Sequence, residues 1–87
     1  MAHTVELKSM RGFDLSIFEF PQVAVFHCPE DYPRRTVGRI FDCGQPTNVV
    51  IVARDITDLL NDVMEHTNMT WFARGDEDER AVVGVFM

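Results

Sequence analysis

The run Val49-Val50-Ile51-Val52-Ala53 is apolar at every position, and this restricts what a chain of 87 residues can fold into. Successive side chains of a strand point to opposite faces. A strand of this kind is therefore greasy front and back and needs cover on both sides. Two neighbouring runs share the property. In 23–28, Val23 and Val25 stand against Ala24 and Phe26, and in 35–41, Val37 and Phe41 stand against Ile40.

Helical cover is scarce. Ile56, Leu59, Leu60, Val63 and Met64 fall at i, i+3, i+4, i+7 and i+8, an apolar stripe at helical period. Asp55 and Asp58 resemble a capping box with a shortened acid. Asp58, Asn61, Asp62 and Glu65 take the polar face, and His66-Thr67-Asn68 supplies the stop. The predicted helix, about 55–67, has about three turns and a length of roughly 18 Å. It can shield only part of one sheet face. The second face must be closed by the sheet itself, by the C-terminal segment or by another copy. Open apolar patches above a few hundred Å² usually mark interfaces, so the expectation is self-association as a two-fold dimer.

The remaining elements follow from alternation and turn residues. Val5 to Ser9 and Phe13 to Ile17 each alternate with period two around Arg11-Gly12, which reads as a hairpin. Strands are expected over 23–28, 35–41 and 47–53, separated by Pro29-Glu30-Asp31-Tyr32-Pro33 and Asp42-Cys43-Gly44-Gln45-Pro46. Short links favour antiparallel neighbours. Trp71-Phe72-Ala73 reads as a short strand. The tail is open to two readings: Gly75 to Glu79 as an acidic helix start favoured by the helix dipole, or Ala81 to Phe86, β-branched and containing Gly84, as a strand in a hairpin with residues 70–74, which suits the composition better. The fold class is α+β: one domain over 1–87, mainly an antiparallel meander of five to seven strands with one amphipathic helix packed on it.

The net charge of −6 is unevenly placed. Residues 1–54 hold six acids and six bases, whereas 55–87 hold eight acids against Arg74 and Arg80, so the whole excess lies in the C-terminal third. Such a surface repels phosphate backbones, which argues against general nucleic-acid binding. No apolar leader and no run long enough for a membrane helix occurs, so a soluble, cytoplasmic protein is the expectation.

Chemistry is thinly represented. Cys28 and Cys43 sit at opposite ends of the expected 23–28/35–41 pair, on the order of 15 Å or more apart and too far for a disulfide. No closely spaced Cys or His pair suggests zinc, so no metal or cofactor is expected. A Cys–His nucleophile would need Cys28 or Cys43 beside His27 or His66, with a group to orient the ring. Adjacent strand residues point apart, which separates His27 from Cys28. The acidic run Asp76–Glu79 lacks the ligand spacing of a calcium loop and reads as a solvated face.

The candidate partner-binding residues are Tyr32, Arg34, Arg35 and Trp71. Tyrosine and arginine on a proline-stiffened turn are favoured interface anchors, although Arg34 and Arg35 could equally pair with Glu30, Asp31 or the acidic third. Trp71 beside Phe72 suits the core better than a stacking platform. The leading functional expectation is a non-enzymatic, self-associating interaction or regulatory module. A second is an acidic inhibitor occupying a basic, nucleic-acid-binding groove of another protein. A third is a small enzyme or small-molecule binder at a dimer interface, using His27, Cys28 or Arg35.

Overall fold

The computed structural model describes residues 3–74 and 82–87; the acidic run Asp76–Glu79 lies outside them. Six strands form one sheet: β1 (Val5–Leu7), β2 (Pro21–His27), β3 (Thr36–Asp42), β4 (Gln45–Ala53), β5 (Trp71–Ala73) and β6 (Val82–Phe86). Among the described residues the one α-helix, α1, spans Ile56–His66. The sheet order is β1-β4-β3-β2-β6-β5. All pairs are antiparallel except β1 with β4, which run parallel with Val5 opposite Val49.

The α+β class therefore holds, with the meander confined to β2, β3 and β4. The hairpin expected from 5–9 and 13–17 does not form. Asp14 accepts hydrogen bonds from the Ser16 backbone N–H at 2.9 Å and the Ser16 hydroxyl at 2.6 Å. This local capping wins over the strand ladder and turns Leu15–Ile17 into a 3-10 turn. Upstream, the Ser9 hydroxyl and the Met10 N–H both donate to the Asp62 carboxylate of α1, at 2.5 and 2.7 Å. The chain is thus tied to the helix directly after β1, and Met10 enters the core.

The helix forms as its periodicity demands. The Asp55 side chain accepts from the Asp58 N–H at 2.8 Å, and Thr67 closes the C-terminus by donating its hydroxyl to the Val63 carbonyl at 2.7 Å. Leu59 and Val63 are fully buried. Leu59 seats over Gly38 of β3: a Cβ there would lie 3.5 Å from Leu59 Cδ2 and only 2.9 Å from Val23 Cγ1. Val23, Val25, Ile40, Val49, Ile51 and Phe86 complete the core under the helix.

Register places Glu6, Ala24, Phe26, Val37, Arg39, Phe41, Val50, Val52, Phe72 and Val85 on the other face. Half of that face is sealed by the chain itself. The loop between β2 and β3 folds back over it, with Tyr32 donating to the Glu6 carboxylate and Asp31 paired with Arg39. Val37 and Val50 are buried although they point away from α1. Arg39 also lies over the Phe26 ring, 5.5 Å from its centroid.

The C-terminal hairpin pairs Trp71 with Phe86, their ring centroids 4.8 Å apart. The indole lies across Gly84, where a Cβ would come within 2.5 Å of both Trp71 Cη2 and the Phe72 carbonyl oxygen. Backbone cannot yield there, so Gly84→Ala should cost about 1–3 kcal/mol as an overpacked site. Leu59→Ala should cost about 2–5 kcal/mol through the cavity it leaves. Trp71 is the sole tryptophan, so its fluorescence during urea unfolding measures both losses as lowered midpoints.

Candidate functional site

Chemistry-bearing side chains converge where β2 turns into β3. His27 ends β2, and Cys28 follows with φ of 50°, in the left-handed region that a non-glycine residue adopts at a cost of about 1 kcal/mol. This conformation breaks the strand alternation. The expected separation of His27 from Cys28 fails for that reason: Cys28 Sγ lies 3.6 Å from His27 Nε2 and 3.9 Å from Nδ1. The imidazole is held in turn by Thr36 across the ladder, its Nδ1 3.3 Å from the Thr36 hydroxyl. Thr36 is fully buried, whereas Cys28 and His27 are exposed.

The loop is stiffened by its own backbone. Cys28 N–H donates to the Arg35 carbonyl at 2.9 Å, Tyr32 N–H to Pro29 at 3.0 Å and Arg35 N–H to Tyr32 at 3.2 Å. Asp31 takes Arg39 as its partner rather than Arg34 or Arg35. Arg34 and Arg35 are exposed, and among the described residues neither forms an ion pair. Tyr32 is half-buried, its hydroxyl committed to Glu6. Trp71 lies apart from this group, half-buried against Phe86 at the far side of the sheet.

Cys43 is also exposed and also left-handed, with φ of 53°, but its company differs. Its Sγ lies 3.6 Å from Asp42 and 3.8 Å from Glu19 carboxylate oxygens. Desolvation, then the Asp42 charge and hydrogen bond and the Glu19 charge, push this thiol above its ordinary value. Both cysteines are free. No group of three or more His, Cys, Asp or Glu side chains among the described residues could hold a metal ion, and no described helix is long and apolar enough to cross a membrane.

Two concave regions stand out among the described residues. A cleft of about 660 Å³ runs between α1 and the β1–β4 pair, with Lys8, Arg35, Asn61 and Glu65 on its walls. Its other acids have partners: Glu6 holds Tyr32, Asp58 holds Arg54 and Asp62 holds Ser9 and Met10. The second, about 520 Å³, is an apolar groove at the end of the sheet lined by Leu15, Phe20, Pro21, Met69 and Met87. Phe20 is 70 % exposed there and Met87 53 %. The sequence reading missed this groove. Its signal was Phe18 and Phe20 interrupting the polar positions after Ile17.

No family model, curated protein or solved structure matches the chain.

The contact between Tyr32 and Glu6 makes a measurable acid–base prediction. The hydrogen bond to Glu6, followed by desolvation and the Glu6 and Asp31 charges, raises the Tyr32 phenol above its ordinary 10.0. A group raised on folding contributes stability that is complete below its unfolded pKa and is lost as pH rises through the folded one. Tyr32 is the sole tyrosine, so ultraviolet titration of the folded protein should have its midpoint above 10.0, and Glu6→Gln should bring it back down.

Proposed function

We propose that this chain is a non-enzymatic interaction module that self-associates through the apolar groove at the end of its sheet, with Phe20 as the anchor. The observation that carries this reading is the way Phe20 is displayed. Its N–H donates to the Asp42 carboxylate at 2.9 Å and its carbonyl accepts from the Cys43 N–H at 3.2 Å. The backbone is thus held on both sides while the ring projects into solvent. An aromatic fixed in this manner loses little freedom when it is buried by a partner.

A second copy is the occupant that fits. The projecting ring and the groove adjoin on one chain, so a two-fold axis through them lets each copy place its Phe20 in the groove of the other. Such an isologous contact closes on itself and leaves no open end. Met87 lines the same groove and would be covered by the same contact. The uncovered half of the sheet's second face is a weaker candidate. There Ala24, Phe41 and Val85 are already half-buried, and Phe72 is the one strongly exposed side chain.

Sedimentation at tens of micromolar should detect a dimer for the wild-type chain and a monomer for Phe20→Asp, with Trp71 fluorescence unchanged between them. Phe72→Asp should remain dimeric. A wild-type monomer at that concentration would remove the proposal, and a dimer broken by Phe72→Asp but not by Phe20→Asp would move the interface to the sheet face.

A further inference from the structure

We propose that the cleft between α1 and the carboxyl end of β4 binds a small monocarboxylate with an apolar tail, the carboxylate held by Lys8 and Arg35 and the tail laid on Leu7 and Ala53. This surface is separate from the groove beside Phe20, and the proposal is independent of self-association.

The cleft exists because the two ladders on β4 end at different points. Pairing with β1 stops at Leu7 and Ile51, while pairing with β3 continues to Thr36 and Ala53. Beyond Leu7 the chain is drawn off the sheet, since Ser9 and Met10 both donate to Asp62 of α1. β4 therefore runs on past the end of its β1 ladder. The space left between it and the helix is about 660 Å³, the size of a small-molecule site. Leu7 and Ala53, both half-buried, present apolar surface to this space, and the buried Ile51 and Leu59 close the floor.

Charge selects the polar end of the ligand. Lys8 directly follows Leu7 and Arg35 directly precedes Thr36, so the two bases flank the carboxyl end of β4 from opposite sides, and both line the cleft. Among the described residues neither forms an ion pair. Arg35 donates one N–H to the Arg34 carbonyl at 3.3 Å, which leaves the rest of its fork for a ligand. Arg54, the third base there, is spent on Asp58.

The acids of the cleft limit how much negative charge it accepts. Glu6 accepts from Tyr32, Asp58 from Arg54, and Asp62 from Ser9 and Met10. Glu65 stands one turn beyond Asp62 on α1. Two uncommitted cations can hold one carboxylate, which matches the guanidinium fork in shape. A phosphate or a dicarboxylate would bring its second charge against this ring of carboxylates. An ammonium would find its acceptors already engaged, Glu65 excepted, and would face Lys8 and Arg35. One negative charge on an apolar body satisfies both the bases and the floor.

The test titrates the chain with hexanoate, hexylamine and hexan-1-ol at millimolar concentration and reads backbone amide shifts by NMR. Hexanoate should shift the amides of Leu7, Ala53 and Leu59 and bind about tenfold more tightly than the amine or the alcohol. Butanoate should bind about tenfold more weakly than hexanoate, because two methylenes are withdrawn from the floor. Lys8→Gln with Arg35→Gln should weaken hexanoate about tenfold and leave hexan-1-ol unchanged. Both side chains are exposed, and a spectrum unaltered away from the two substitutions certifies that variant as folded. Absence of shifts with hexanoate, or shifts confined to Met69 and Met87 in the other groove, would overturn the proposal. So would hexylamine binding as tightly as hexanoate, a comparison that needs no variant, or a folded double variant with undiminished affinity.

Discussion

The fold depends on how a sheet that is apolar on two faces is covered when the described residues hold one short α-helix. On one side the solution is close approach. Gly38 lacks a side chain where α1 sits down, so Leu59 reaches the sheet between Val23 and Ile51. On the other side a loop serves as cover. The β2–β3 connection reaches across the sheet to Glu6 on the edge strand and to Arg39 in its middle, and Val37 and Val50 are dry beneath it. Apolar burial supplies most of the driving force, while two polar contacts decide where the loop lies.

That arrangement separates what could be read from the sequence and what could not. The helix and strands β2 to β6 were legible, because 3.6-residue and two-residue periods are local properties of the chain. The C-terminal strand was only favoured over an acidic helix, by Gly84 among β-branched residues, and β6 settles it for Val82–Phe86. The segment 5–17 was misread for a physical reason. Its alternation is real, but Asp14 satisfies the backbone locally and Asp62, more than fifty positions away, captures Ser9 and Met10. A side chain on a distant helix leaves no trace in a strand's own pattern. Parallel pairing of β1 with β4 was hidden for the same reason.

The loop 28–35 was only half legible. Its prolines announced a stiff turn, and Tyr32, Arg34 and Arg35 stood out as exposed anchors. The structure divides them: Tyr32 is committed to holding the loop down, Arg35 donates to the Arg34 carbonyl, and neither arginine forms an ion pair among the described residues. Which acid would claim which base depended on where the loop lands, and Arg39, central on the sheet face, wins Asp31. The Cys28–His27 contact was excluded by a rule that holds for extended backbone and fails at a left-handed residue. Cysteine gives no compositional warning of that conformation, unlike glycine or asparagine.

The proposed anchor Phe20 and the His27–Cys28 turn lie at opposite ends of β2. Phe20 precedes its first residue and Cys28 follows its last, so seven residues of extended chain, about 23 Å, stand between them. The two ends remain mechanically joined, because β2 and β3 share a ladder from Pro21–Asp42 to His27–Thr36. Asp42 holds the backbone of Phe20 and Thr36 holds the ring of His27, so the same strand β3 positions both sites.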